Sequence, residues 1–93
     1  MDLRALWDQH RAADWPKFSS TDEGELMTLD TVISGCATYY FDEQNLDAPR
    51  LAMLGNCLDD LERLLPDVPE EAGAYFTRLR SLAGLLLDTA RIA

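Results

Sequence analysis

The sequence predicts an all-α fold, an up-and-down antiparallel bundle of four helices. In four stretches, apolar residues recur at alternating steps of three and four, the spacing that makes one side of an α-helix apolar. Prolines or short polar segments separate these stretches, and no run alternates with the period of two that a β-strand needs. Short connections make consecutive helices antiparallel. The predicted helices cover about residues 2–14, 21–43, 48–65 and 69–91.

Local signals define the ends of these helices. Pro16 ends the first helix because its ring clashes with a continuing helical turn. Ser20 and Glu23 have the spacing of a capping box, so we expect the second helix to begin there. Asp47 is the predicted N-cap of the third helix, and Asp67 that of the fourth. In the first helix, the side predicted to face the core consists of Leu3, Leu6, Trp7 and His10.

The other three helices each have one apolar side whose residues step by three and four, which is typical of helices packed at about 20°. In the second helix these predicted core residues are Leu26, Leu29, Ile33, Cys36 and Tyr40. In the third they are Leu51, Leu54, Leu58, Leu61 and Leu65, and in the fourth Ala72, Tyr75, Leu79, Leu82 and Leu86.

Length and charge limit the classes of function. Ninety-three residues predict a single domain over residues 1–93. Seventeen acidic residues against eight Lys and Arg give a net charge of −9, which repels nucleic acid and anionic membranes. Residues 18–49 contain seven acids and no Lys or Arg, so this half is either a solvated acidic surface or a docking surface for a basic partner.

The sequence indicates no targeting segment. The first eight residues contain no apolar run, so we expect no signal peptide. The apolar run Leu85–Leu87 is far too short to span a bilayer. We therefore expect a soluble, cytoplasmic protein.

The outer sides of the second and fourth helices are unusual for surfaces in water, which are normally rich in charged residues. Small residues follow one another there, and a glycine inside a helix costs about 1 kcal/mol relative to alanine. We interpret these sides as surfaces that another helix approaches closely; the alternative is an ordinary wet surface. The candidate interface residues are Thr28, Thr31, Val32, Gly35, Thr38, Tyr39, Asp42, Thr77, Ser81, Gly84, Leu85 and Ile92.

No pattern indicates catalysis, a metal or a cofactor. The single histidine, His10, cannot supply the Glu-x-x-His pairs of a di-iron bundle, and no glycine-rich phosphate loop is present. We expect His10 at the edge of the core, bonded to a carboxylate or a carbonyl. Cys36 and Cys57 fall at similar heights in a helical hairpin, either as a disulfide or, in a reducing compartment, as buried thiols.

Three functions fit these observations. The first is a small acidic, non-catalytic interaction module: an adaptor, an inhibitor or a neutralising partner of a basic protein. The second is a structural module that forms a homodimer through its small-residue helix faces. The third is a small-molecule-binding bundle with an apolar pocket lined by Trp7, Tyr40 and Phe76. No enzyme is expected.

Overall fold

The protein is an all-α bundle in the computed structural model, which describes residues 2–92 and, at Ile92, the backbone alone. Within these residues there are four α-helices, a short 3₁₀ turn at Leu65–Asp67 and no β-strand. The helices are α1 (Leu3–Ala12), α2 (Glu23–Glu43), α3 (Ala48–Leu64) and α4 (Glu70–Ile92). The predicted four-helix bundle is confirmed, and every predicted helix end lies within two residues of the observed one.

Aspartate side chains cap two of the helices. The backbone N–H of Arg50 donates to the Asp47 carboxylate at 2.9 Å, so the predicted N-cap of α3 is confirmed. At the start of α1, the backbone N–H of Ala5 donates to Asp2 at 2.7 Å. Each bond satisfies one of the backbone donors that a helix leaves unpaired in its first turn.

Two predicted caps are wrong. Helix α2 begins at Glu23 with Asp22 as its N-cap, and the Ser20 hydroxyl accepts from the Asp22 backbone N–H at 3.1 Å in the turn before the helix. Asp67 lies in the 3₁₀ turn, three residues before α4 begins. Because proline disfavours the α conformation in the preceding residue, Val68 is extended before Pro69, and α4 starts only after that proline.

The bundle is flattened, with Cα extents of 37 × 23 × 17 Å. Helix α4 packs against α1, α2 and α3, whereas α1 has only slight backbone contact with α2. Helices α2 and α4 run in the same direction, since two chain reversals separate them. They would lie diagonally in a square bundle, but here they contact each other directly.

Because α4 is central, it buries more residues than the sequence predicted. A helix with three neighbours buries more than one row of side chains, and α4 buries Phe76, Ala83 and Leu87 beyond the predicted row. Conversely, some predicted core residues are only partly buried, because they lie at the edge of a helix–helix contact. These residues are Tyr40, Leu51, Leu58, Leu65 and Tyr75.

The connection between α1 and α2 is anchored by aromatic side chains. Trp15 and Phe18 both pack edge-to-face on Phe76, with ring centroids 5.5 and 5.7 Å from it. Phe76 is fully buried. These contacts fasten the connection to the N-terminal half of α4 and close that end of the core.

Candidate interaction surfaces

The outer side of α2 is exposed along most of the helix, as the sequence predicts. A rotation of about 100° per residue also places the exposed residue Met27 on this side, which the sequence prediction omitted. The Met27 side chain is 49% exposed. We call this surface the α2 outer face; it consists of Met27, Thr28, Thr31, Gly35, Thr38 and Asp42, all exposed.

The threonines of the α2 outer face bond to their own helix. The hydroxyls of Thr28, Thr31 and Thr38 donate to the carbonyls of Gly24, Met27 and Ser34 at 3.1, 2.9 and 3.0 Å. Each hydroxyl proton is therefore already used, which leaves methyl groups and backbone as much of the outward surface. A Cβ added at Gly35 would meet no atom within 4 Å.

The two residues predicted to flank this face are less exposed than the face itself. Val32 and Tyr39 are partly buried and pack against the core. The Arg50 guanidinium covers the Tyr39 ring, 3.8 Å from its centroid. Both side chains thus make contacts within the chain, and the α2 outer face is narrower than predicted.

The residues of the predicted surface on α4 differ in exposure. Thr77 and Ser81 are exposed, whereas Gly84 and Leu85 are partly buried, and Leu85 packs against the core. The side chain of Ile92 lies outside what the structure describes. Gly84 instead borders a groove that α4 forms with α3.

This groove, the α3–α4 groove, lies between the N-terminal half of α3 and the C-terminal half of α4. Its volume is about 550 Å³. Gly55, Leu58, Gly84 and Leu87 are among the small and apolar residues that line it, with Asp59 and Asp88 among its polar residues. No α2 residue lines the groove, so it is a separate surface from the α2 outer face.

A smaller groove of about 160 Å³ separates α1 from the C-terminal half of α2. Arg4, Trp7 and Arg11 line its α1 side. Thr38, Phe41 and Asp42 line the other side. The α2 outer face therefore ends next to two arginines, but each of these already pairs with Asp8, at 3.3 and 2.9 Å.

A partly buried polar cluster connects three helices. Asp30 on α2 accepts a hydrogen bond from Nε2 of His10 on α1 at 2.7 Å and one from the Tyr75 hydroxyl on α4 at 3.0 Å. Because a carboxylate only accepts, we assign the proton to Nε2. Asp30 is the partner that sequence analysis expected for His10 without naming it.

Electrostatics and burial suit this cluster to a structural role. Burial, and then the neighbouring Asp30 carboxylate, raise the pKa of the Tyr75 hydroxyl, which therefore remains a hydrogen-bond donor. The His10 side chain is only 2% exposed. A substrate could not reach the imidazole without a displacement of α1, so the geometry favours attachment of α1 over acid–base chemistry.

The two cysteines are buried free thiols, and no disulfide joins them. Burial is the main cause that raises the pKa of each thiol. The nucleophilic thiolate is therefore scarce at neutral pH, so the pair has the character of small core residues.

The aromatic residues predicted to line an apolar pocket do not meet. Tyr40 lies near the C-terminal end of α2, next to Phe41. Phe76 lies near the N-terminal end of α4, among Trp15 and Phe18. Because α2 and α4 run in the same direction, these two residues lie toward opposite ends of the bundle.

Searches for other kinds of site give negative results for residues 2–92. No group of three or more His, Cys, Asp or Glu side chains is placed to hold a metal ion in this part of the chain. None of its helices is both long enough and apolar enough to cross a membrane. Comparison of the chain with protein-family models, curated proteins and solved structures gives no match.

Proposed function

We propose that this protein is a small acidic, non-catalytic interaction module that binds a basic protein through the α2 outer face. The observation that carries the proposal is the exposure of a helix surface that is uncharged except at Asp42 and whose threonine hydroxyls are bonded within the helix. Burying a polar group without a partner is costly, and these hydroxyls already have partners. A second protein could therefore cover the surface at low cost.

The size and shape of the face suit a helix or another flat surface. Met27 to Asp42 spans about 22 Å at a rise of about 1.5 Å per residue. Gly35 lies near the middle and leaves its backbone open, which lets a partner approach closely. Met27 adds an adaptable apolar side chain at one end.

Charge favours a basic partner. Helix α2 contains five acids and no Lys or Arg. Glu23 and Glu25 lie near one end of the α2 outer face, and Asp42 and Glu43 lie at the other. A partner with Lys or Arg at both ends of its contact surface would complement this pattern, and the association would weaken as salt rises.

A homodimer through the same face is the second candidate. Its uncharged middle could pack against a second copy. In an antiparallel pair, however, the acids at one end of each face would meet those at the other end of its partner, and both chains carry a net charge of −9. This repulsion makes a basic partner the better match.

The cellular compartment is part of the same proposal. Two buried free thiols fit a reducing compartment better than an oxidising one. We therefore propose that the protein acts in the cytoplasm.

Gly35→Leu tests the proposal, with Gly73→Leu as the matched control on α4. Neither position has an atom within 4 Å of an added Cβ, so both variants should fold. Wild type and both variants are immobilised, exposed to extracts of cells that express the protein, and the retained proteins are identified by mass spectrometry. We expect a basic protein on wild type and Gly73→Leu, with much less on Gly35→Leu.

The retained protein is then purified and its affinity measured at about 0.05 and about 1 M salt. Equal binding to all three baits, or an affinity that is the same at both salt concentrations, would contradict the proposal. Light scattering on the purified protein distinguishes the homodimer from the binding of a basic partner, because it measures the oligomeric state of the chain alone. A wild-type dimer that becomes a monomer in Gly35→Leu would support the homodimer instead.

A further inference from the structure

We infer that the α3–α4 groove is a second docking surface and that its occupant is a basic amphipathic helix of another protein. This inference shares with the proposed function the expectation of a basic partner, but it uses another side of the molecule. It rests on the shape of the groove floor and on the charges along its rim.

The floor of the groove is open because two glycines face it. Gly55 on α3 and Gly84 on α4 both line the groove, and a Cβ added at either position would meet no atom within 4 Å. Leu51 and Leu58, both partly exposed, supply apolar surface beside them. Two antiparallel helices with small residues at their junction leave a furrow into which the side chains of a third helix can fit.

The rim is acidic, and its acids have no ion-pair partner among residues 2–92. Asp59 and Asp88 line the groove, and neither forms an ion pair among residues 2–92. Arg91 is the single basic residue that lines it. An occupant with an apolar stripe flanked by Lys or Arg would place apolar atoms on the floor and cations against both carboxylates.

Other occupants fit less well. A second copy of the chain would bring its own net charge of −9 toward an acidic rim. The groove is partly open to solvent, whereas small-molecule sites enclose most of the surface of their ligand. A basic helix satisfies both the shape and the charge.

The test uses two synthetic peptides of about 18 residues, which is about five helical turns. Both have leucine and alanine on one side; the flanking positions are lysine in the first peptide and glutamate in the second. Binding to the full chain is measured by fluorescence anisotropy at about 0.05 and about 0.5 M salt. We expect the lysine peptide to bind, with an affinity that falls at the higher salt concentration, and the glutamate peptide not to bind.

Substitutions that fill the floor test the shape without changing charge. We expect Gly55→Leu and Gly84→Leu each to weaken binding of the lysine peptide at least about tenfold, because leucine occupies the space of the incoming side chains. Gly35→Leu, the same change on α2, should alter the affinity less than about twofold. Circular dichroism confirms that all three variants keep their helices.

A pair of charge variants tests the rim. The double variant Asp59→Asn, Asp88→Asn removes two carboxylates from the groove, and Glu62→Gln, Asp67→Asn removes two elsewhere. Both change the net charge equally, so non-specific attraction falls by the same amount in each. The inference requires a larger loss of affinity from the first pair, and equal losses would overturn it.

The outcomes separate this inference from the proposed function. If Gly35→Leu weakens peptide binding and Gly84→Leu does not, the peptide uses the α2 outer face and the groove inference fails while the proposed function stands. If neither peptide binds, the inference also fails. NMR shift changes confined to residues 51–59 and 84–91 would support it, and a dimer that Gly84→Leu dissociates would overturn it in favour of a second copy.

Discussion

At the scale of single residues, Asp30 connects three helices through its side-chain hydrogen bonds. Its two carboxylate oxygens bind side chains of α1 and α4, at 2.7 and 3.0 Å. The Asp30–His10 bond joins α1 to α2, and so does the Arg4 guanidinium, which lies 5.1 Å from the centroid of the Phe41 ring. Hydrogen bonds to a charged group are stronger than those between neutral groups. The bonds of Asp30 to His10 and Tyr75 are therefore well suited to hold α1 and α4 against α2.

Tyr75→Phe removes one of these hydrogen bonds and keeps the ring. We expect it to lower the free energy of unfolding by about 1–2 kcal/mol at neutral pH, measured by urea denaturation. Tyr40→Phe is the control, because the Tyr40 hydroxyl forms no hydrogen bond within residues 2–92, and its effect should be smaller. Equal effects would mean that the Tyr75–Asp30 bond contributes nothing specific.

The same variant tests the raised pKa of Tyr75. The hydroxyl loses its proton near pH 10 in the unfolded chain and at higher pH in the folded one. The unfolded state therefore binds fewer protons above about pH 10, and the stability of wild type should fall as pH rises through that region. Tyr75→Phe should lack this component, so the gap in stability between the two proteins should shrink above about pH 10.

At the scale of helices, α3 and α2 begin in different ways. Asp47 caps α3 through the Arg50 backbone N–H and also pairs with the Arg50 guanidinium. Asp22 stands at the N-cap of α2 but forms no side-chain cap bond. The difference decides how much each helix start depends on its aspartate.

Asp47→Ala should therefore cost about 1 kcal/mol of stability, measured by thermal or urea denaturation. Asp22→Ala should cost less, since only the favourable placement of a negative charge near the helix N-terminus is lost. Loss of the Asp47–Arg50 pair adds little, because the two side chains are 43% and 39% exposed and water screens the pair. A larger effect at Asp22 than at Asp47 would contradict this assignment of caps.

At the scale of the whole molecule, the core includes both thiols. Cys36 on α2 is 2% exposed and Cys57 on α3 is 8% exposed. They belong to the same buried cluster as Leu82 of α4. A reagent can reach these thiols only when this part of the bundle opens.

Alkylation of the two thiols should therefore report opening of the bundle. In native buffer we expect both cysteines to react far more slowly than in the unfolded chain, and to accelerate with urea as the protein unfolds. Leu82→Ala leaves a core cavity that costs about 2–5 kcal/mol, so it should accelerate both reactions at least about tenfold. Mass spectrometry counts the adducts; a thiol that reacts at the unfolded rate in native buffer would show that the core is open there.

Much of the fold follows from local patterns along the chain. The apolar patterns of helical period, with Pro16 and the predicted N-cap Asp47, predict four helices to within two residues at each end. The exposure of Thr31 and Gly35 follows from the same rotation that buries Leu29 and Ile33. These features depend on backbone sterics and on the helical period, and both are determined by residues within a few helical turns of one another in the sequence.

The arrangement of the helices around one another depends on contacts between distant residues. Asp30 meets His10 and Tyr75 across 20 and 45 positions of sequence, and no local pattern pairs them. The direct contact of α2 with α4, and the groove between α3 and α4 that Gly84 borders, arise in the same way. The sequence alone determined which residues form each helix and which side of it is apolar, whereas tertiary packing decided which helices touch, because that choice depends on how side chains from all four fill one shared volume.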